Sequence, residues 1–308
     1  MTIAAPPAAH RTTRSLLRGL LGTPPRMVVE HTAVSRHDVV RRAAMADVYE
    51  FTSADYPGAA LSEVFDTDGT TALGGFIFAP GNASSLAIAF TVAGGVYQIL
   101  DVPNSSAGVA TGINSSGLIV GMYQDVSGSI HGFSTSDGST FNDVDFPGGH
   151  NTQVIDVNDA GDMVGSYSDA ANVEHGFASS GGTFKVIDFP AGTDTAVAGI
   201  NTHGDVVGGY SDATGTHGFL LSGGVFTPIN FPLASSTTAW SINDDGDIAG
   251  VYTDTAGKSH GFVYADKNFS TVDVAGASGT QLTRIKNSGQ VVGFYIDALS
   301  ENHGLISR

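Results

Sequence analysis

The sequence predicts an all-β fold, a six-bladed β-propeller. Three observations predict it. An Ile-Asn-x-x-Gly anchor recurs about every 43 residues, each interval holds four strand-sized segments, and a lone closing-strand motif stands ahead of the first interval.

The anchor reads Ile113-Asn114-Ser115-Ser116-Gly117, Val157-Asn158-Asp159-Ala160-Gly161, Ile200-Asn201-Thr202-His203-Gly204 and Ile242-Asn243-Asp244-Asp245-Gly246. It decays to Ile285-Lys286-Asn287-Ser288-Gly289 near the end and to Phe65-Asp66-Thr67-Asp68-Gly69 at the start. The spacings are 44, 43, 42 and 43 residues, with 48 before the first full copy. Strand one of each unit ends at the anchor, whose Asn-x-x-Gly turn suits a hairpin with positive φ at glycine. Strand two is short and apolar, as in Val206-Val207-Gly208-Gly209-Tyr210. Strand three opens with His-Gly-Phe, as at His217-Gly218-Phe219, after an acidic loop. Strand four follows a Gly-Gly turn and closes as Phe226-Thr227-Pro228-Ile229-Asn230-Phe231-Pro232.

The chain ends separate a propeller from a solenoid. The last unit stops at His303-Gly304-Leu305-Ile306-Ser307-Arg308, without a strand four. Phe51-Thr52-Ser53-Ala54-Asp55-Tyr56-Pro57 matches Phe184-Lys185-Val186-Ile187-Asp188-Phe189-Pro190 position for position. The first strand is therefore expected to complete the last blade and remove two open edges. The predicted domains are a flexible basic tail at 1–45 and the propeller at 46–308.

Composition narrows the function. Residues 1–45 hold seven of the thirteen basic residues, whereas residues 46–308 carry six basic and twenty-eight acidic ones, a balance of −22. That field repels phosphate backbones and anionic lipid, so the body is not expected to bind nucleic acid or membrane. Partners left open are a small neutral or cationic molecule, a glycan, or another protein. There is no cysteine, which excludes disulfides and thiolate chemistry. The uncharged run Thr70–Leu100 fits two strands and a hairpin, not a span. The tail's apolar stretch, Leu16 to Leu21, is interrupted by Arg18 and is too short for a signal-peptide core, which leaves a targeting role second to a loose tail. Compartment and oligomeric state are not legible.

The Ile-Asn-x-x-Gly-x-Val-Val-Gly and His-Gly-Phe signatures resemble the HAF-type bacterial repeat family, named for His-Ala-Phe. The resemblance covers about residues 50–308, with glycine in place of the alanine. It implies a repeat fold and export, and supplies no catalytic residues.

Five histidines share one repeat position: His131, His175, His217, His260 and His303. An aspartate precedes each by five or six residues (Asp125, Asp169, Asp212, Asp254, Asp297), and a tyrosine lies two before each aspartate. Equivalent outer positions cannot converge on one metal, so Asp–His hydrogen bonding across the hairpin is expected and no metal site or cofactor is predicted. In blade one the three are replaced together by Phe76, Phe78 and Ile88. The acidic turns lack the register of a calcium loop and read as solvated turns.

Residues that break the repeat on strand one, the innermost strand, carry the functional reading. The position before the anchor is Val64, Gly112, Asp156, Gly199, Ser241 and Arg284. The one before that is Glu63, Thr111, Ile155, Ala198, Trp240 and Thr283. Two residues nearer the strand start, Gln153 and Gln281 replace Leu61, Val109, Ala196 or Thr238. Such differences suit one asymmetric ligand at a channel mouth, bordered by the loop with His150. Trp240 would stack on it, with Gln153, Gln281, Thr111, Thr283 and His150 around it. An alternative is a metal-independent lyase, isomerase or cyclase, with Asp156 or Glu63 as base and Arg284 stabilising negative charge across the channel. A third is a protein-interaction scaffold. The structural counter-reading pairs Glu63 with Arg284 to fasten the ring and packs Trp240 between blades. No nucleophile elbow, phosphate loop, dinucleotide fingerprint or zincin motif is present.

Overall fold

A computed structural model describes residues 49–307 apart from 54, 57–58 and 79–87. The basic tail expected at 1–45 lies outside the described residues. Blade I comprises β2 (Ala59–Thr67), β3 (Thr71–Phe78), β4 (Ile88–Ala93) and β5 (Val96–Ile99). Blade II has β6 (Ser105–Ile113), β7 (Ile119–Asp125), β8 (Ile130–Thr135) and β9 (Asn142–Asp143). Blade III has β10 (His150–Val157), β11 (Met163–Ser168), β12 (Glu174–Ser180) and β13 (Thr183–Ile187). Blade IV has β14 (Asp194–Ile200), β15 (Val206–Asp212), β16 (Gly215–Ser222) and β17 (Val225–Ile229). Blade V has β18 (Ser236–Ile242), β19 (Ile248–Thr253), β20 (Ser259–Ala265) and β21 (Asn268–Val272). Blade VI has β22 (Gly279–Ile285), β23 (Val291–Ile296) and β24 (Asn302–Ser307), completed by β1 (Phe51–Ser53).

The six sheets are four-stranded meanders, and β1 pairs antiparallel with β24 through Phe51↔Ser307 and Ser53↔Leu305. That register equals Phe184↔Ser179 in blade III, as the matching motifs predict. Between blades, the His-Gly-Phe phenylalanines Phe133, Phe177, Phe219 and Phe262 are fully buried, with Phe90 and Leu305 in the other two blades. Their glycine is fixed by crowding. A Cβ on Gly176 or Gly218 would run into the strand-four carbonyl of Ile187 or Ile229. No helix among the described residues is long and apolar enough to cross a membrane.

Candidate functional site

The inner strands share one irregularity, and it builds the site. In every blade the ladder between strands one and two skips a residue: Phe65, Thr111, Ile155, Ala198, Trp240 and Thr283 are β-bulges. A bulge re-aims its side chain, and all six line one cavity of about 320 Å³. The strand-two glycine makes the bulge feasible. A Cβ on Gly74, Gly121, Gly165, Gly208, Gly250 or Gly293 would collide with the strand-one carbonyl opposite, from Glu63, Val109, Gln153, Ala196, Thr238 or Gln281.

The bulges correct the alignment of blade I. Asp66 faces Leu73 as Asp156 faces Val164 and Arg284 faces Val292. Asp66 and Phe65 thus occupy the two ring positions expected for Val64 and Glu63. Glu63 moves two residues, to the slot of Gln153 and Gln281, because Thr67 and not Phe65 closes strand one of blade I.

Arg284, Asp66 and Asp156 form a buried charge plug across the axis. Arg284 Nη1 lies 2.6 Å from Asp156 Oδ2, and Nε lies 3.2 Å from Asp66 Oδ1. These two contacts lie off the hydrogen-bonding direction and act as charge pairs, while Nη2 donates to the Thr111 carbonyl at 3.1 Å. Lys286 Nζ adds a second cation 3.0 Å from Asp66. Burial opposes the Arg284 charge, but Asp156 and Asp66 outweigh it and hold the guanidinium cationic. Burial pushes Asp156 up, opposed by Arg284. The Asp156 oxygens also accept the amides of Val157 at 2.8 Å and Ile200 at 2.9 Å. Asp156 and Arg284 do stand on opposite blades, but they touch each other. No substrate gap separates them, and Asp156 is engaged by the guanidinium and by two backbone amides.

Glu63 does not pair with Arg284. It is 1% exposed, accepts from Asn302 Nδ2 at 2.6 Å, and does not line the cavity. Burial drives its pKa well above the carboxylate range, with Asn302 opposing. His150 is exposed, meets Asn172 Oδ1 at 3.2 Å and also stands outside the cavity wall. Thr111 and Thr283 line the cavity, but their hydroxyls donate to the neighbouring blade's carbonyls, Val154 at 2.8 Å and Val64 at 3.1 Å. They staple blades together.

Three expected residues keep free polar groups at the wall. The amides of Gln153 and Gln281 make no hydrogen bond among the described residues, and Trp240 Nε1 is buried without a partner. The sequence reading missed Glu174, on strand three of blade III. It is 5% exposed, lines the cavity and accepts from Ser166 Oγ at 2.7 Å. Burial raises its pKa, Ser166 opposes and Asp194 adds to the rise. The same comparison applied to strand three marks it. The residue before the histidine is Ile130, Glu174, Thr216, Ser259 and Asn302, acidic in blade III alone.

The expected hairpin hydrogen bond forms in blades IV and V, between Asp212 and His217 at 3.2 Å and between Asp254 and His260 at 3.4 Å, whereas in the other three blades the aspartate stands near the ring without bonding it. Hairpin aspartates stand 3.2–3.8 Å from Nε2 of all five histidines. Nδ1 of His131, His175, His260 and His303 instead meets a strand-four aspartate, Asp145, Asp188, Asp273 or Asp55, at 2.7–3.1 Å. Blade IV has Asn230 at that point. Tyrosines stack on the imidazoles, as Tyr167 does on His175 with centroids 5.3 Å apart.

No family model and no curated protein sequence matches the chain. TolB from Acinetobacter baumannii superposes with a TM-score of 0.57 at 10% identity over 79% of this chain, which spans 65% of TolB. The β-propeller domain of the Trilobed protease from Pyrococcus furiosus gives 0.51 at 7% identity, covering 81% of this chain and 94% of that one. The fucose-specific lectin from Aleuria aurantia gives 0.50 at 9% identity, covering 83% and 97%. The likeness is one of fold.

Proposed function

We propose that the chain binds one small neutral polyhydroxylated molecule, a saccharide, in the cavity at the channel mouth. The observation that carries this reading is the set of unsatisfied groups lining one cavity from three blades: the indole of Trp240 and the amides of Gln153 and Gln281. An apolar ring face stacks on an aromatic plane while amides exchange hydrogen bonds with hydroxyls, so the three groups match the two sides of a sugar. The wall disfavours an anionic ligand. Its one cation, Arg284, is already matched by two carboxylates, and Glu174 and Asp194 are its further ionisable groups. The fucose-specific lectin from Aleuria aurantia, similar in fold at 9% identity, is consistent with a saccharide site on such a frame, without lending any residue. The HAF-type resemblance belongs to the same proposal, since an exported propeller would meet free and surface glycans.

The enzymatic alternative is weakened because its base and its cation neutralise each other in the plug. The test is a glycan array on the full chain, followed by titration calorimetry of any hit against wild type, Trp240→Ala and Gln281→Ala. The expected result is one site per chain, with affinity about two- to tenfold weaker in Trp240→Ala, the size of one lost stacking contact. Binding that ignores Trp240→Ala would place the site elsewhere. An empty array, with binding to a protein partner instead, would favour the scaffold.

A further inference from the structure

We propose a divalent transition-metal site on blade VI, held by Asp297, Glu301 and His303. Five blades carry the same Asp–His pair, but blade VI alone brings a second carboxylate to Nε2. Glu301 Oε2 lies 3.6 Å and Asp297 Oδ2 3.8 Å from His303 Nε2, and the three atoms lie within 4.8 Å of one another. The residue equivalent to Glu301 is Ser129, Val173 and Lys258 in blades II, III and V. Where the repeat needs only a structural pair, the third carboxylate does not appear.

The separations are too long for hydrogen bonds and fit a shared ion. Bonds of about 2.0–2.2 Å to a four-coordinate ion put its ligand atoms about 3.3–3.6 Å apart. The two separations from His303 Nε2, 3.6 and 3.8 Å, lie within a few tenths of an ångström of that arrangement, and the two carboxylates lie within 4.8 Å of each other. A second observation points the same way. Glu301 is 5% exposed, yet its carboxylate accepts no hydrogen bond among the described residues and faces Nε2. A largely covered carboxylate with no hydrogen-bond donor, held against an imidazole nitrogen, is placed to ligate a cation. Asp297 Oδ1 is engaged by the amides of Leu299 and Glu301 at 2.8 Å each, which leaves Oδ2 for the ion.

The support around the imidazole is also in place. Asp55 Oδ2 lies 3.1 Å from His303 Nδ1. That contact sets the proton on Nδ1 and turns the Nε2 lone pair toward the two carboxylates, as carboxylate–histidine–metal triads do. Three carboxylates around one imidazole leave an excess of negative charge that a divalent cation offsets. One nitrogen and two oxygens suit Zn²⁺ and its first-row neighbours over the all-oxygen preference of Ca²⁺ and Mg²⁺. Asp55 follows β1 and also accepts the Gly304 amide at 3.1 Å. A bound ion would therefore brace the seam where the ring closes.

The experiment uses the full chain, stripped with chelator and dialysed. Zn²⁺ is titrated against a competing chelator, and unfolding temperature is read with and without one equivalent of Zn²⁺. The expected result is one tight equivalent per chain and a higher unfolding temperature. Glu301→Gln should weaken affinity by at least the roughly 10–100-fold that loss of a supporting partner costs. Its metal-free unfolding temperature should not fall. His175→Gln, the same position in blade III, should leave Zn²⁺ affinity unchanged. Absence of a stoichiometric site would overturn the proposal, as would equal affinity in Glu301→Gln. Loss of binding in His175→Gln as well would mark general Asp–His capture and overturn it too. Glu301→Lys, which copies Lys258 of blade V, gives a second variant should Glu301→Gln fold poorly.

Discussion

Replacing Arg284 by Met tests whether the plug holds the ring together. The variant keeps most of the volume and removes a cation whose partners, Asp66 and Asp156, are 1% and 4% exposed. Breaking a buried pair by removing one partner costs about 3–5 kcal/mol. The lower end applies here, for two reasons seen in the contacts. Asp66 keeps Lys286 at 3.0 Å and two backbone donors, Thr67 and Ile113. Asp156 keeps the amides of Val157 and Ile200 and loses its one touching cation. The expected loss is therefore about 3 kcal/mol at pH 8, or roughly 6 °C in unfolding temperature at about 2 °C per kcal/mol for a domain of this size. The pH dependence has a definite sign. Burial already raises Asp156, and Arg284 is the chief group opposing that rise, so the variant's Asp156 takes up a proton at higher pH than the wild type's. The deficit should shrink as pH falls through that titration, because the protonated side chain no longer leaves a buried charge. Circular-dichroism melts and urea titrations at pH 8 and 4.5 would measure both terms. Adding Asp156→Ser should restore most of the loss, since Ser241 holds the same place in blade V and accepts the Ile285 amide through Oγ at 3.1 Å. A deficit below about 1 kcal/mol at pH 8, a typical surface pair, or one equal at both pH values, would refute the plug as the fastening of the ring.

Glu63→Gln should stabilise the protein at neutral and alkaline pH while keeping the bond from Asn302. Glu63's folded pKa is raised, so the folded state holds the proton more tightly and wild-type stability falls as pH climbs above the unfolded value of about 4.3; parallel melting curves from pH 5 to 8 would contradict this. Gly208→Ala should cost about 2 kcal/mol or more, because its Cβ meets the Ala196 carbonyl, whereas Gly209→Ala should be nearly neutral, its nearest neighbour being Thr238 Cγ2 at 3.6 Å. Urea unfolding of the two variants side by side separates them, and equal losses would deny that the bulge demands glycine.

The repeat made the blades, their order and the closing strand legible because each depends on patterns of fixed length. Anchor spacing gives blade size, and the missing strand four of the last unit is matched by Phe51–Pro57. The bulges were not legible, since an unpaired residue changes the register without changing the composition. In blade I, Asp66-Thr67-Asp68-Gly69 offers two ways to set an acidic residue before a turn, and only the ladder chooses between them. That one ambiguity displaced Glu63 by two residues and hid Asp66 from the plug. The strand-four aspartates are not legible from local spacing: Asp145, Asp188 and Asp273 lie 13 or 14 residues beyond the histidines they meet, and Asp55 precedes His303 by 248. Glu174 is not legible from the inner strands, because it reaches the cavity from the start of strand three.

The bulge also explains how a repetitive ring becomes one-sided. A residue released from the ladder no longer has to satisfy a cross-strand partner, so its identity can change from blade to blade without altering pairing. Phe65, Thr111, Ile155, Ala198, Trp240 and Thr283 occupy one backbone geometry with six different surroundings. The next position along is in the ladder and close to the axis. There a large side chain in every blade would not fit, and Gly112 and Gly199 leave room. A Cβ on Gly112 would already press Asp156 Cα at 3.1 Å. The room goes to Arg284, which reaches blades I, II and III from blade VI and fastens that part of the ring by charge. Blades IV and V take no part in those contacts. Their inner strands instead present Ala198, Ala196, Thr238 and Trp240 to the cavity. Closure and recognition thus use different side chains, in part on the same strands: Asp156 and Arg284 pair across the ring, while Gln153, Gln281 and Trp240 line the cavity with unpaired polar groups. A variant of the plug should therefore move stability first, and one at Trp240 should move binding first.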